Sequence, residues 1–150
     1  MSGNDPRRES PVLIRFDLDT LQRTATGSIT ATIYVELGAV AFPGEGWSDF
    51  VVVILGWWLD ALGRLSNQPG TVKLRFMDGP YEMRVSSEPA SWTIDCVKRA
   101  ARDASVFTAT VESRQLISET RRVGRQVVEA CDARGWQSPD IEALRDRVAS

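Results

Sequence analysis

The chain has 150 residues, 43% of them hydrophobic, with 18 Lys and Arg against 20 Asp and Glu and no histidine. That length and apolar fraction suit one domain whose core needs no disulfide support. A formal net charge of −2 exerts no global pull on nucleic acid, and the missing histidine removes Ser-His-Asp and Cys-His nucleophiles, HExxH zinc sites and the commonest general base.

The longest apolar run, residues 50–59 with Gly56 inside it, reaches only about half of the ~20 residues that span a bilayer, so no membrane span is expected. Residues 1–10 are polar, with no apolar stretch after Arg7 and Arg8. They read as a disordered lead without a secretory signal, ahead of a single α+β domain over residues 11–150. Cys96 and Cys131 stand far apart without a CxxC partner; two buried thiols in a reducing compartment are expected, and the cytoplasm is the expected location. Charge is uneven: residues 1–60 hold four Arg and eight acidic residues, residues 98–125 seven basic and three acidic ones.

Order is expected from Pro11. Val12, Ile14, Phe16 and Leu18 alternate with Leu13, Arg15, Asp17 and Asp19, the period of a strand with one buried face. A second strand, residues 27–39, puts Ile29, Ala31, Ile33, Val35 and Leu37 on one face and Thr30, Thr32, Tyr34 and Glu36 on the other. Pro43, Gly44 and Gly46 break regular structure. Ser48 is expected as the N-cap of a helix to about Leu65, with Asp49 in its first turn and Trp47 stapled onto Val52. One stripe of that helix is Val51, Leu55, Trp58, Leu62 and Leu65; another is Phe50, Ile54, Trp57 and Ala61. So wide an apolar surface is buried on most sides or binds something, and the β-branched residues 51–54 also admit a strand.

Asp78-Gly79 marks the two-residue turn of a hairpin. It pairs Phe76 with Tyr81, Leu74 with Met83 and Val72 with Val85, which lands every apolar residue on one face. Trp92, Ile94 and Cys96 give the next strand and residues 106–112 the last, completing an antiparallel meander. A helical period follows in Leu116, Thr120, Val123, Val127 and Ala130, ending near Gly135, with Trp136 locking the following turn against the core. Ser138 and Pro139 open a final helix carrying Ile141, Leu144 and Val148. The order ββαββββαα makes the fold α+β: a mostly antiparallel sheet of about six strands with helices on one face.

Phe16-Asp17-Leu18-Asp19-Thr20 after an apolar strand resembles the first motif of haloacid-dehalogenase-type phosphohydrolases. That resemblance implies Asp17 as nucleophile, Asp19 as general acid and base, and a magnesium ion. The glycine which that family places after the second aspartate is missing, and the family needs a parallel sheet. The plainer reading has Arg15, Asp17 and Asp19 on the solvent face of a strand. Arg121 and Arg125, one helical turn apart, offer a basic face to an acidic partner; nucleic acid is not expected, since no aromatic-interleaved motif accompanies them. Trp57 and Trp58 are core, or a binding hot spot if one ring is exposed.

With Trp47-Ser48-Asp49 before a Trp-rich helix, the Phe76-Met77-Asp78-Gly79-Pro80-Tyr81 hairpin and no recognisable active site, the chain resembles the small bacterial immunity proteins of polymorphic and contact-dependent toxin systems. The resemblance implies a non-enzymatic protein without cofactor or metal that occludes a cognate toxin. Against a basic toxin the contact set would be Asp17, Asp19, Glu36, Glu45 and Asp49, with Trp57, Trp58, Arg121 and Arg125 as further candidates. The alternatives are a self-associating structural or regulatory domain, possible as a homodimer, and the magnesium phosphohydrolase.

Overall fold

In the computed structural model, which describes residues 9–150, the alternating segments form two separate antiparallel sheets. The first holds β1 (Val12–Arg23), β2 (Ile29–Leu37), β3 (Val40–Phe42) and β4 (Ser48–Asp49). After α1 (Val51–Asn67) comes the second, a meander of β5 (Thr71–Arg75), β6 (Tyr81–Ser87), β7 (Trp92–Lys98) and β8 (Ala104–Val111). Helices α2 (Ser113–Ala133) and α3 (Pro139–Ala149) complete the chain. Of the expected lead over residues 1–10, residues 1–8 lie outside the described residues; Ser10 N–H donates to the Thr110 carbonyl at 2.7 Å, joining the approach to β1 to β8.

The α+β class and the antiparallel pairing are as expected, but the strands divide four and four instead of forming one sheet of six. The two additional strands arise because the chain turns back on β2 at Gly38, φ +62°, and Pro43 then splits the returning strand in two. Pro43 lacks an N–H for a ladder, so the chain leaves β2 after Phe42 and rejoins it at Ser48. One backbone bond, Ile33 N–H to the Trp47 carbonyl at 2.8 Å, bridges the gap.

The expected helix start is corrected. Ser48 belongs to β4, and Phe50 stands at the N-cap with no side-chain cap bond. Asp49, expected to be solvated, is 1% exposed and holds four donors. Its Oδ1 accepts from the N–H groups of Phe50 at 2.7 Å and Met77 at 3.2 Å, its Oδ2 from Trp47 Nε1 at 3.0 Å and Asp78 N–H at 3.1 Å. A carboxylate is an acceptor on both oxygens, which suits a point where four donors converge.

This explains the hairpin. The register of Val72 with Val85 and Leu74 with Met83 is as expected, and Phe76 N–H bonds the Tyr81 carbonyl at 3.2 Å. The turn, however, spans residues 77–80 instead of two residues: Pro80 has no N–H to give, and those of Met77 and Asp78 go to Asp49. Gly79, at φ +81°, lies under Trp47, where an added Cβ would come within 2.9 Å of the indole.

Edge-on ring contacts tie the junction together. Phe42 and Trp47 from the first sheet meet Phe76 and Tyr81 from the second with centroids 5.3–6.5 Å apart, and Trp58 of α1 meets Phe76 at 5.1 Å. Trp58 is fully buried, and its indole N–H donates to the Arg75 carbonyl at 2.9 Å. Helix α1 packs against β2, β5, α2 and α3, which is why both of its apolar stripes are buried apart from Phe50 and Trp57. The buried faces of both sheets and all three helices contribute to one apolar cluster.

Helix α2 covers the outer edge of β1: Glu119 Oε2 accepts the Ile14 N–H at 2.7 Å, and Arg122 holds the same carboxylate through two bonds. Gly124 lets α3 approach, since a Cβ there would meet Val148 at 2.7 Å. Helix α3 starts as expected, with Ser138 accepting the Ile141 N–H and Pro139 in the first turn.

Candidate interaction surfaces

The first surface grows from an irregularity in β1. Asp17 pairs with Thr32 and Gln22 with Thr30, leaving residues 18–21 opposite Ala31 alone. This wide bulge is pinned from within. Thr20 Oγ1 donates to the Asp17 carbonyl at 2.7 Å and accepts the Thr32 N–H at 2.8 Å, while Asp17 Oδ1 accepts the Asp19 N–H at 3.0 Å. The bulge shifts the side-chain alternation. Leu18, expected inward, is 50% exposed, and Leu21 takes the buried place.

Leu18 and Phe16 line a groove of about 430 Å³ against Gln126, Glu129 and Ala130 of α2. Asp17 and Asp19, both exposed, flank Leu18 in the chain, so an apolar floor sits beside a carboxylate rim. The remaining acidic candidates are dispersed. Glu36 lies on the outer face of β2 and takes a 2.7 Å bond from Arg15 Nε; Glu45 is exposed in the turn after β3; Asp49 is buried at the junction and cannot meet a partner.

The aromatic pair is split in the same way. Trp57 is 45% exposed, whereas Trp58 is core, a correction to its candidacy for contact. The two arginines part as well: Arg121 lines a cleft of about 490 Å³ with Leu59, Gly63 and Arg147, while Arg125 is exposed on α2.

The second surface is the outer face of the second sheet. Strand register stacks Lys73, Arg84, Asp95 and Thr108 in one row and Arg75, Glu82 and Val97 in the next. Glu82 is fully buried beneath guanidinium groups: Arg84 Nε bonds its Oε2 at 2.7 Å, while Arg99 Nε and Arg75 Nε lie 3.4 and 3.7 Å from its Oε1. Arg84 also bonds Asp103 at 2.7 Å. Its guanidinium pKa is raised by the hydrogen bonds to Glu82 and Asp103. The Asp103 carboxyl is held below the usual carboxylate range by the Arg84 bond and by the Ala100 N–H.

None of Arg75, Glu82, Arg84, Arg99 and Asp103 was singled out from the sequence. A signal was nonetheless present, because the hairpin register that pairs Leu74 with Met83 also sets Arg75 against Glu82 and Lys73 against Arg84.

Every strand pair is antiparallel, so the parallel sheet of the phosphohydrolase resemblance is not formed. Among the described residues no group of three or more Cys, Asp or Glu side chains could hold a metal ion, and no helix is long and apolar enough to cross a membrane. Cys96 and Cys131 are buried free thiols; burial, with Asp95 nearby, pushes Cys96 up to about 12. No family model, curated protein or solved structure matches the chain.

Proposed function

We propose that this chain is a non-enzymatic binding protein of the bacterial immunity type, which neutralises a cytoplasmic toxin by covering it. The observation that carries the reading is the β1 bulge: a half-exposed Leu18 held on a hydrogen-bonded backbone between two exposed carboxylates. An apolar anchor on a rigid element costs little entropy to bury, and surrounding acidic charge favours fast encounter with a basic partner. Asp17, Asp19 and the α2 residue Glu129 then face the partner, with Leu18 and Phe16 as the desolvated centre.

The test is affinity capture of the tagged chain from its source cells, followed by quantitative binding to the recovered partner. A single stoichiometric toxin-domain protein is expected, whose affinity falls at least tenfold with raised salt, with Asp17→Lys/Asp19→Lys or with Leu18→Glu. Affinity unchanged by both variants rules out this surface.

A second reading, self-association, is favoured by β8. It borders the second sheet, carries no charged side chain or proline from Ala104 to Val111, and exposes Val106. Edge strands so composed pair readily with other strands. A mass that doubles with concentration and stays monomeric in Val106→Lys would support that reading instead.

A further inference from the structure

On the second sheet, three guanidinium groups share one buried carboxylate, which leaves positive charge in excess. Arg84 is bonded to two carboxylates, Glu82 through Nε and Asp103 through Nη2. Arg75 and Arg99 are not: among the described residues the only carboxylate within 4 Å of either is Glu82, and both approach the same oxygen, Oε1. That oxygen and Arg99 Nε are buried without a completed hydrogen bond, so the cluster is held together by charge and stops short of closing on itself. The arginines come from different places in the chain, Arg75 on β5 and Arg99 just after β7, with β6 and its Glu82 between them. Each is about half exposed, so its outer N–H groups face solvent, and Lys73 stands in the adjacent row.

We propose that Arg75 and Arg99, drawn together by Glu82, form a binding site for a doubly charged tetrahedral oxyanion of the phosphate type. This goes beyond the immunity reading and uses a different sheet. Two guanidinium forks can each hold two oxygens of one phosphate group, whereas a lone carboxylate satisfies a single fork. Glu82 supplies the preorganisation: it keeps two like charges side by side before the ligand arrives and fixes their stems, so binding orders little that was free.

The experiment is a titration of the full chain with inorganic phosphate, pyrophosphate, polyglutamate or sodium chloride at matched ionic strength, following the arginine Nε–H signals by NMR. Saturable shifts of the Arg75 and Arg99 signals are expected with phosphate and pyrophosphate, and only small linear drift with chloride. Arg75→Gln and Arg99→Gln should each weaken phosphate binding at least fivefold, while Arg125→Gln leaves it unchanged. Glu82 keeps its bond from Arg84 in either variant and both replaced side chains are about half exposed; an unchanged amide spectrum checks that each variant folds, and the wild-type ranking of anions tests the site without them. Equal response to chloride, binding of polyglutamate as tight as that of phosphate, or phosphate binding unaltered in Arg75→Gln or in Arg99→Gln would each overturn the site. The partner titration of the β1 bulge is independent of all three outcomes.

Discussion

The two sheets each bury one face in the common core and leave the other uncovered, but they treat the open face differently. The first exposes Leu13 and, at its edge beside α2, a Leu18 displaced by a bulge between two exposed carboxylates, and has its edge strand β1 closed by Glu119 of α2. The second covers its face with ion pairs centred on Glu82 and has β8 at its border. An apolar element offered on a stiff backbone suits a specific macromolecular contact, whereas an unbalanced charge cluster suits a small ion. The same pleated scaffold thus supports two chemistries, chosen by whether a strand keeps its register.

The sharpest way to break the comparison is to separate the sheets at Asp49. Asp49→Ala strands three backbone N–H groups and an indole N–H, and a loss of about 3 kcal/mol or more in urea unfolding is expected. Asp49→Asn should recover little of it, because an amide turns a second donor toward two of those groups. A loss below about 1 kcal/mol would mean that the junction is held by its aromatic rings alone. Gly79→Ala tests the same junction from the hairpin side. A Cβ at positive φ and 2.9 Å from the indole of Trp47 should cost about 2 kcal/mol, with a change in tryptophan fluorescence marking the displaced ring.

Glu119 sharpens the first sheet's side. Burial alone would raise its carboxyl pKa, but the bonds from Arg122 and from the Ile14 N–H outweigh that and hold it below the ordinary 4.5. A depressed folded value means that the stabilisation is complete above the unfolded value and is lost as pH falls through the folded one. Glu119→Gln should therefore be less stable by about 1 kcal/mol at pH 7, a gap that narrows toward pH 3. A gap independent of pH would show that the carboxylate charge contributes nothing at that edge. The smallest effect is expected at the bulge: Leu18→Ser should change stability by no more than about 0.5 kcal/mol, since half the side chain is already solvated. A larger loss would make Leu18 a packing residue and remove it from the proposed contact surface.

Much of the architecture was legible from periodicity. Alternation located β2, the hairpin register and the meander, and the 3.6-residue period with Ser138-Pro139 located the last two helices. What escaped was set by long-range partners. Nothing local distinguishes Asp49 as a buried acceptor from a solvated first-turn acid, because two of its donors lie 28 and 29 residues away. Leu18 obeyed the alternation in the sequence, and only the four residues opposite Ala31 turned it outward. Of the acidic set, Asp17, Asp19 and Glu45 are exposed and Asp49 is buried. The Glu82 cluster could have been read from the hairpin register up to Arg75 and Arg84, but Arg99 arrives from beyond β7.

The four bonds at Asp49 also bear on how the chain loses its structure. Neither sheet can peel away while the other stays intact without losing the Met77 and Asp78 bonds to that carboxylate and wetting the aromatic rings around it, so partial unfolding is penalised at the seam. Melting should then be all-or-none, with calorimetric and van't Hoff enthalpies in agreement, and fragments cut in the loop after α1 should remain unstructured apart and fold when mixed.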